Sequence, residues 1–200
     1  MRQQFIISSI FPAVRSNPSA KAVLSLLFAT LLSAVSFAQT PAIGTKAPDF
    51  TLSTPSGKAV TMSSEREGKN LVLVVLRGYP GYDCPFCVQQ VHDFILHGAE
   101  FAAKDTRVLL VYPGPPAGLD QHAKAFLEKQ ANLPDNVVLV VDPDYMMTNL
   151  YGLRWAAPHE TAYPSTFILD MKGIVVFEKI SHGHGDRLSA QESLEHLPKQ

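Results

Sequence analysis

Cys84 and Cys87 are the only thiols in this 200-residue chain, and both lie in the loop "RGYPGYDCPFCVQQ", residues 77–90. Thiols so close together serve as a redox couple, as part of a metal site, or as small core residues. A structural staple explains the pair poorly, because a disulfide constrains the unfolded chain less as its loop shortens. Structural zinc needs four ligands, from two such pairs or from one pair with suitably spaced histidines. No second cysteine pair exists, and the histidines are scattered apart from His182 and His184 in "HGHGD". That histidine pair alone falls short of a metal site and reads as a polar loop. Inert burial fits badly with Asp83 and a Gly- and Tyr-rich loop around the cysteines. A redox-active dithiol is the reading that remains.

Local position assigns the roles. Pro85 suits the first turn of a helix, so Cys84 stands at a strand-to-helix junction. Unpaired backbone N–H groups and the positive end of the helix dipole there favour thiolate over thiol. Cys87, about one turn on, is shielded and better placed to attack a mixed disulfide than to start one. Cys84 is therefore the expected nucleophile and Cys87 the resolving thiol. Asp83 is expected to be an exposed loop residue whose charge opposes the thiolate.

The elements that must hold this pair are legible along the chain. "NLVLVVLRG" (70–78), "TRVLLVYP" (106–113) and "NVVLVVD" (136–142) are continuous apolar runs, the pattern of strands buried on both faces. Helical periodicity follows Pro85, where Cys87, Val91 and Ile95 recur with Phe94 and Phe101 alongside. Residues 119–130 read as an amphipathic helix and 144–152 as a short one ending at Gly152. "YPSTFILD" and "IVVFEKI" form a hairpin turned at Lys172-Gly173, and "SAQESLEHL" carries a capping box on Ser189 and Glu192. Ahead of these, "FTLS" and "AVTM" make an N-terminal hairpin. Alternating strands and helices imply a parallel sheet covered on both faces, with the closing hairpin adding antiparallel strands. Function in such sheets sits at the carboxyl ends of the parallel strands. There the cysteine loop, the proline-rich loop "PGPPAG" and the loop 152–163 should converge, with Trp155 and Tyr163 offering a surface to a substrate or partner peptide.

The first 38 residues are of another kind. They contain Arg2, Arg15 and Lys21 with no acidic residue, then the apolar run "AVLSLLFATLLSAVSFA". The run is short for a membrane span, which takes roughly 20 apolar residues, and it ends in small residues. This is the layout of a signal peptide, residues 1–38, followed by one domain over 39–200. The expectation is an exported protein, periplasmic or secreted, with no stable membrane span in the mature chain. Disulfides persist in such compartments. The composition is globular, and no basic cluster suggests nucleic acid.

From Gly44 onward the chain resembles the thioredoxin-like superfamily, in its peroxiredoxin-related branch (alkyl hydroperoxide reductase/thiol-specific antioxidant). "GTKAPDFTL" is similar to that branch's N-terminal signature, "CPFC" to the Cys-x-x-Cys site, and "YPSTFILDMKG" to the segment holding a cis-proline that faces the cysteines, here Pro164. The resemblance implies an α/β thioredoxin-like three-layer sandwich with a central mixed sheet and an N-terminal β-hairpin extension. It departs from peroxiredoxins where they carry Pro-x-x-x-Thr/Ser-x-x-Cys, since Arg77 and Gly81 occupy the Pro and Thr positions. Their peroxide-polarising arginine also has no counterpart near "STF"; Arg77, Arg154 or Arg187 would have to reach in from loops.

On these grounds the expected activity is thiol–disulfide oxidoreduction through Cys84 and Cys87, supported by Pro164, Pro85 and Arg77. The alternative is a thiol peroxidase with Cys84 peroxidatic and Cys87 resolving. A copper-delivery role ranks below both, because exported copper carriers of this fold space their cysteines more widely. The partners implied are a protein or small-molecule disulfide, or a hydroperoxide, and a redox partner that regenerates the pair; no cofactor or metal is expected. Phe86 cannot donate a hydrogen bond to the thiolate, so a less oxidising pair is expected than in strong disulfide-forming catalysts.

Overall fold

The computed structural model describes residues 39–199; the segment read as a signal peptide lies outside them. Seven strands form one mixed sheet in the order β2-β1-β5-β4-β3-β6-β7. Its centre is β3 (Asn70–Val75), β4 (Thr106–Gly114) and β5 (Val137–Pro143), which run parallel. β6 (Ser165–Leu169) and β7 (Val175–Ile180) add an antiparallel flank beside β3.

The apolar run of β3 is continuous because both its faces are covered. Val72, Val74 and Leu76 point into one core with Cys84, Cys87, Val91 and Phe94. Leu71, Leu73 and Val75 point into the other with Phe50, Met62, Met147 and Tyr151. Strand alternation thus divides one sequence run between two layers. The first layer holds α2 (Pro85–Leu96), α3 (Gly98–Ala103), α4 (Leu119–Glu128) and α6 (Ala190–Glu195). The second holds α1 (Met62–Arg66) and α5 (Met146–Leu150). The fold is the thioredoxin-like three-layer α/β sandwich that the motifs imply.

One detail sharpens the sequence reading and two differ from it. The N-terminal hairpin, β1 (Thr51–Ser53) with β2 (Ala59–Thr61), is joined to the β5 edge through Ser53 and Val141, so it extends the sheet itself. Met62, expected to end a strand, instead opens α1. The helix after the cysteines breaks at His97 into α2 and α3. Gly98 there lies so close to Pro134 that a Cβ would sit 2.6 Å from the proline ring. The closing hairpin turns as expected, with Asp170 accepting from the N–H groups of Lys172 and Ile174 at 2.8 Å each. The capping box on α6 is formed by Ser189 and Glu192. Among the described residues, no helix is long and apolar enough to cross a membrane.

Candidate active site

β3 delivers the chain to the cysteine loop through Arg77 and Gly78. Gly78 has φ +75°, and a Cβ on it would lie 1.9 Å from the Pro113 carbonyl oxygen, so no larger residue fits. The close approach lets Tyr79 N–H donate to Pro113 O at 2.9 Å, joining the cysteine loop to the carboxyl end of β4, where the proline-rich loop begins. Arg77 joins it to the third loop. Its guanidinium is buried and donates to Glu160 Oε2 at 2.6 Å, to the His159 carbonyl at 2.6 Å and to Tyr82 Oη at 2.9 Å. The three loops therefore meet as expected.

Cys84 caps α2 with an extended backbone (φ −74°, ψ 120°), and Pro85 occupies the first turn. The Cys84 carbonyl accepts from Cys87 N–H at 2.9 Å and Val88 N–H at 3.1 Å, which fixes the cysteines one turn apart. Both are free thiols. Contrary to the reading of the loop as unlike core, Cys84 is 2% exposed and Cys87 fully buried. The loop is polar at its crest, with Tyr82 and Phe86 exposed, while the sulfurs point inward against Leu76 and Val91.

The segment after β7 covers them. Arg187 Nη1 lies 3.5 Å from Cys87 Sγ and Nη2 lies 3.8 Å from Cys84 Sγ. It is aimed by Gln90 Oε1 at 2.9 Å and by the His184 carbonyl, which accepts from Nε at 2.7 Å. Gln90 Nε2 in turn donates to Leu188 O at 3.1 Å, and Asp93 accepts from Ala190 N–H at 2.7 Å, so α2 grips this segment along its length. Gly185 lies against Phe86, where a Cβ would stand 3.2 Å from the ring.

These contacts set the protonation of the pair. Cys84 is drawn down to about 5, foremost by a hydrogen bond from the Cys87 thiol. Burial opposes that shift, and the Cys87 N–H, the Arg187 charge and Arg77 add to it. Cys87 moves the other way, well above the ordinary thiol range, because it is buried and donates to Cys84. One cysteine is thus a thiolate at neutral pH and the other its proton-bearing neighbour. Burial is the largest single influence on Arg77 and Glu160 and works against both charges. Their mutual ion pair, together with the hydrogen bonds that Arg77 makes to Tyr82 and Cys84 and that His184 makes to Glu160, outweighs it: Arg77 is raised and Glu160 lowered. His184 Nε2 donates to the other Glu160 oxygen at 2.9 Å.

The remaining candidates fall into place around this centre. Asp83, expected to oppose the thiolate, is turned away, bonded by Lys129 Nζ at 2.5 Å and Tyr112 Oη at 3.4 Å. Trp155 and Tyr163 stack on each other, with centroids 4.8 Å apart. His184 packs on the first ring and His182 on the second, so the aromatic pair forms the floor of the 182–187 segment. Arg154 stays in its own loop, over the Tyr145 ring and against the Trp155 and Thr161 carbonyls. Pro164 is buried, with its carbonyl accepting from Ser181 N–H at 2.8 Å. No cis peptide bond occurs among the described residues, so Pro164 is not the cis-proline that the resemblance implies; trans is the intrinsically favoured isomer. Among the described residues, no group of three or more His, Cys, Asp or Glu side chains is arranged to hold a metal ion. Sequence reasoning missed Glu160 and Gln90 altogether, read His184 only as part of a polar loop, and named Arg187 as one of three arginines that could reach in from loops. The signal available was "HGDR" alone, a cluster with no helical or strand period.

The sequence pattern of the AhpC/TSA family matches residues 43–178. Among curated proteins, none matches the chain. Among solved structures, the peroxidoxin BcpB from Mycobacterium tuberculosis is 21% identical, with a TM-score of 0.63 over 78% of this chain and 96% of that one. A putative thiol:disulfide interchange protein DsbE from Chlorobium tepidum is 24% identical, with a TM-score of 0.54 over 74% of this chain and 91% of that one. At such identities the likeness is one of fold. Arg187 and His184 lie beyond the span that the family pattern covers.

Proposed function

The chain belongs to the AhpC/TSA family, and from that premise we propose that it is a thiol-dependent oxidoreductase that reduces hydroperoxides through Cys84, with Cys87 resolving. The Cys84 thiolate attacks the terminal peroxide oxygen; the O–O bond breaks, and water or an alcohol leaves after taking a proton. Cys84 becomes a sulfenic acid. Cys87, as thiolate, then attacks the Cys84 sulfur, expels hydroxide and closes the Cys84–Cys87 disulfide. An external dithiol returns both cysteines to the reduced state by exchange.

Arg187 carries this reading. A peroxide bond breaks with negative charge growing on the leaving oxygen, and a fixed cation beside the sulfur stabilises that charge as it forms. Near "STF" the sequence offered no arginine for the task, which was one ground for preferring disulfide exchange, beside Arg77 and Gly81 at the Pro and Thr positions. Arg187, held 3.8 Å from Cys84 Sγ, supplies one from a different element. Burial of Cys84 to 2% exposure also favours a substrate of a few atoms over the disulfide of a folded protein. Disulfide exchange keeps one specific support, the apolar rim of Tyr82 and Phe86, 48% and 44% exposed, which suits a peptide. We place the activity outside the cytoplasm on the strength of the signal-peptide pattern in residues 1–38.

The test is the rate at which the reduced protein loses Cys84 thiolate to hydrogen peroxide. Peroxidase function requires a rate far above that of a free thiol of matched pKa, abolished in Cys84→Ser. A rate equal to the simple thiol's would return the protein to disulfide exchange.

A further inference from the structure

Both arginines at the dithiol depend on one carboxylate. Glu160 lies in the loop leading to β6 and uses its two oxygens on different partners: Oε2 takes Arg77 Nε at 2.6 Å and Oε1 takes His184 Nε2 at 2.9 Å. Arg77, at the end of β3, is among the groups that draw the Cys84 thiol down. His184 reaches it from the β7 side by a second route, since its carbonyl accepts from Arg187 Nε at 2.7 Å while Arg187 spans both sulfurs. The polar chain thus runs from Arg77 through Glu160, His184 and Arg187 to the thiols, tying three loops around them. We propose that Glu160 and His184 are positioning residues that clamp Arg77 and the Arg187 segment about the dithiol and so govern the reactivity of Cys84.

The other nearby charges have partners of their own. Asp186 pairs with Lys179 at 2.6 Å and Asp83 with Lys129. Arg154 donates to the Glu160 backbone carbonyl at 3.2 Å and leaves the carboxylate free for its two partners. Glu160 and Arg77 are both nearly covered, with side chains 12% and 2% exposed, so this carboxylate is a built part of the site.

The sign of one measurement separates a clamp from a bystander. A carboxylate near a thiolate opposes ionisation through space. If Glu160 acted only by its charge, Glu160→Gln would lower the pH at which Cys84 becomes reactive. If it acts by holding two cations in place, the same substitution raises that pH. The experiment is alkylation of the reduced full chain by iodoacetamide across pH 4–9, with the modified cysteine identified by mass spectrometry. The expected result is a midpoint for Cys84 about one pH unit higher in Glu160→Gln, and a smaller rise in His184→Leu, which keeps the Arg77–Glu160 pair and releases only the Arg187 segment. A fall or no change in Glu160→Gln overturns the clamp. A rise there without one in His184→Leu overturns the tether to Arg187. Should Glu160→Gln fail to fold, His184→Leu decides alone by the same criterion. The inference rests on Cys84 being the nucleophile but not on its oxidant: a parent protein whose Cys84 alkylates like an ordinary thiol would refute the proposed function, whereas a reactive parent with unresponsive variants refutes only the clamp.

Discussion

Arg187→Gln should make the dithiol more reducing, by an amount the geometry fixes. The guanidinium stands 3.8 Å from Cys84 Sγ and 3.5 Å from Cys87 Sγ. An opposite charge at this range lowers a pKa by about 1–3 units. Arg187 is one of several donors to Cys84, behind the Cys87 thiol, so its loss is set near the low end, about 1.5 units. Cys84 would then move from about 5 to roughly 6.5. At pH 7 the thiolate-to-thiol ratio falls from roughly 100 to roughly 3, a loss of about 1.4 decades in the stabilisation of the reduced state. At about 30 mV per decade for a two-electron couple, the potential drops by about 40 mV. The sign follows because the disulfide carries no charge for Arg187 to stabilise, so removing the arginine weakens only the reduced form. Equilibration against glutathione buffers, read by trapping free thiols, measures the potential, and absorbance near 240 nm against pH measures the thiolate. A potential that stays within about 10 mV while the pKa moves by the expected amount would refute the linkage between charge and couple. An unmoved pKa would refute the role of Arg187 itself.

Two further outcomes follow from the same contacts. Cys87→Ala removes the principal hydrogen bond to the Cys84 thiolate; bonds to charged groups are worth about 1.5–3 kcal/mol, so the Cys84 pKa should rise by about 1–2 units. Cys87→Ser, which keeps a donor, should rise less, and both variants should stop at the sulfenic acid after one turnover, detectable by dimedone adduct mass; equal pKa values for the two would show that hydrogen bonding at residue 87 is not the cause. The stability of the reduced protein should also depend on pH. Cys84 is depressed to about 5 when folded from about 8.5 unfolded, so its contribution is complete above about pH 8.5 and is lost as pH falls towards 5, a span of up to about 5 kcal/mol. Cys87 is raised, so what it contributes is present below about pH 8.5 and is lost at higher pH. Urea midpoints of reduced wild type minus Cys84→Ser should therefore grow from pH 5 to 8, and a flat difference would refute the thiolate's contribution.

The parts of the site that sequence disclosed are those governed by local rules. Pro85 at the first turn and an apolar run ending at Leu76 place Cys84 at a strand-to-helix junction, and spacing alone puts Cys87 one turn further. The central strands were equally legible, since residues buried on both faces leave an unbroken apolar run. What could not be read is everything set by long-range contact. Arg187 meets Cys84 across 103 residues and Glu160 meets Arg77 across 83. Each is an ordinary charged loop residue until the fold assembles them. The break at His97 escaped for the same reason, because Pro134, which crowds Gly98, comes from a distant loop.

The expectation of a pair less oxidising than strong disulfide-forming catalysts shows why that division matters. It rested on residue 86, the local place for a donor, and Phe86 indeed has no hydrogen to give. The chain instead brings donors from three other places: Cys87 along the helix, Arg77 from the end of β3 and Arg187 from beyond β7. A thiolate so held stabilises the reduced state, and a stabilised reduced state is what makes a dithiol oxidising. The motif therefore names the reacting atoms, while the loops set their potential. Because Arg187 and His184 fall outside residues 43–178, the part of the chain that carries the family pattern supplies the sulfurs and Arg77, and the segment after it supplies the cation that spans both. A change in that segment alone should retune the couple without altering the Cys-x-x-Cys sequence, which is the consequence that Arg187→Gln tests.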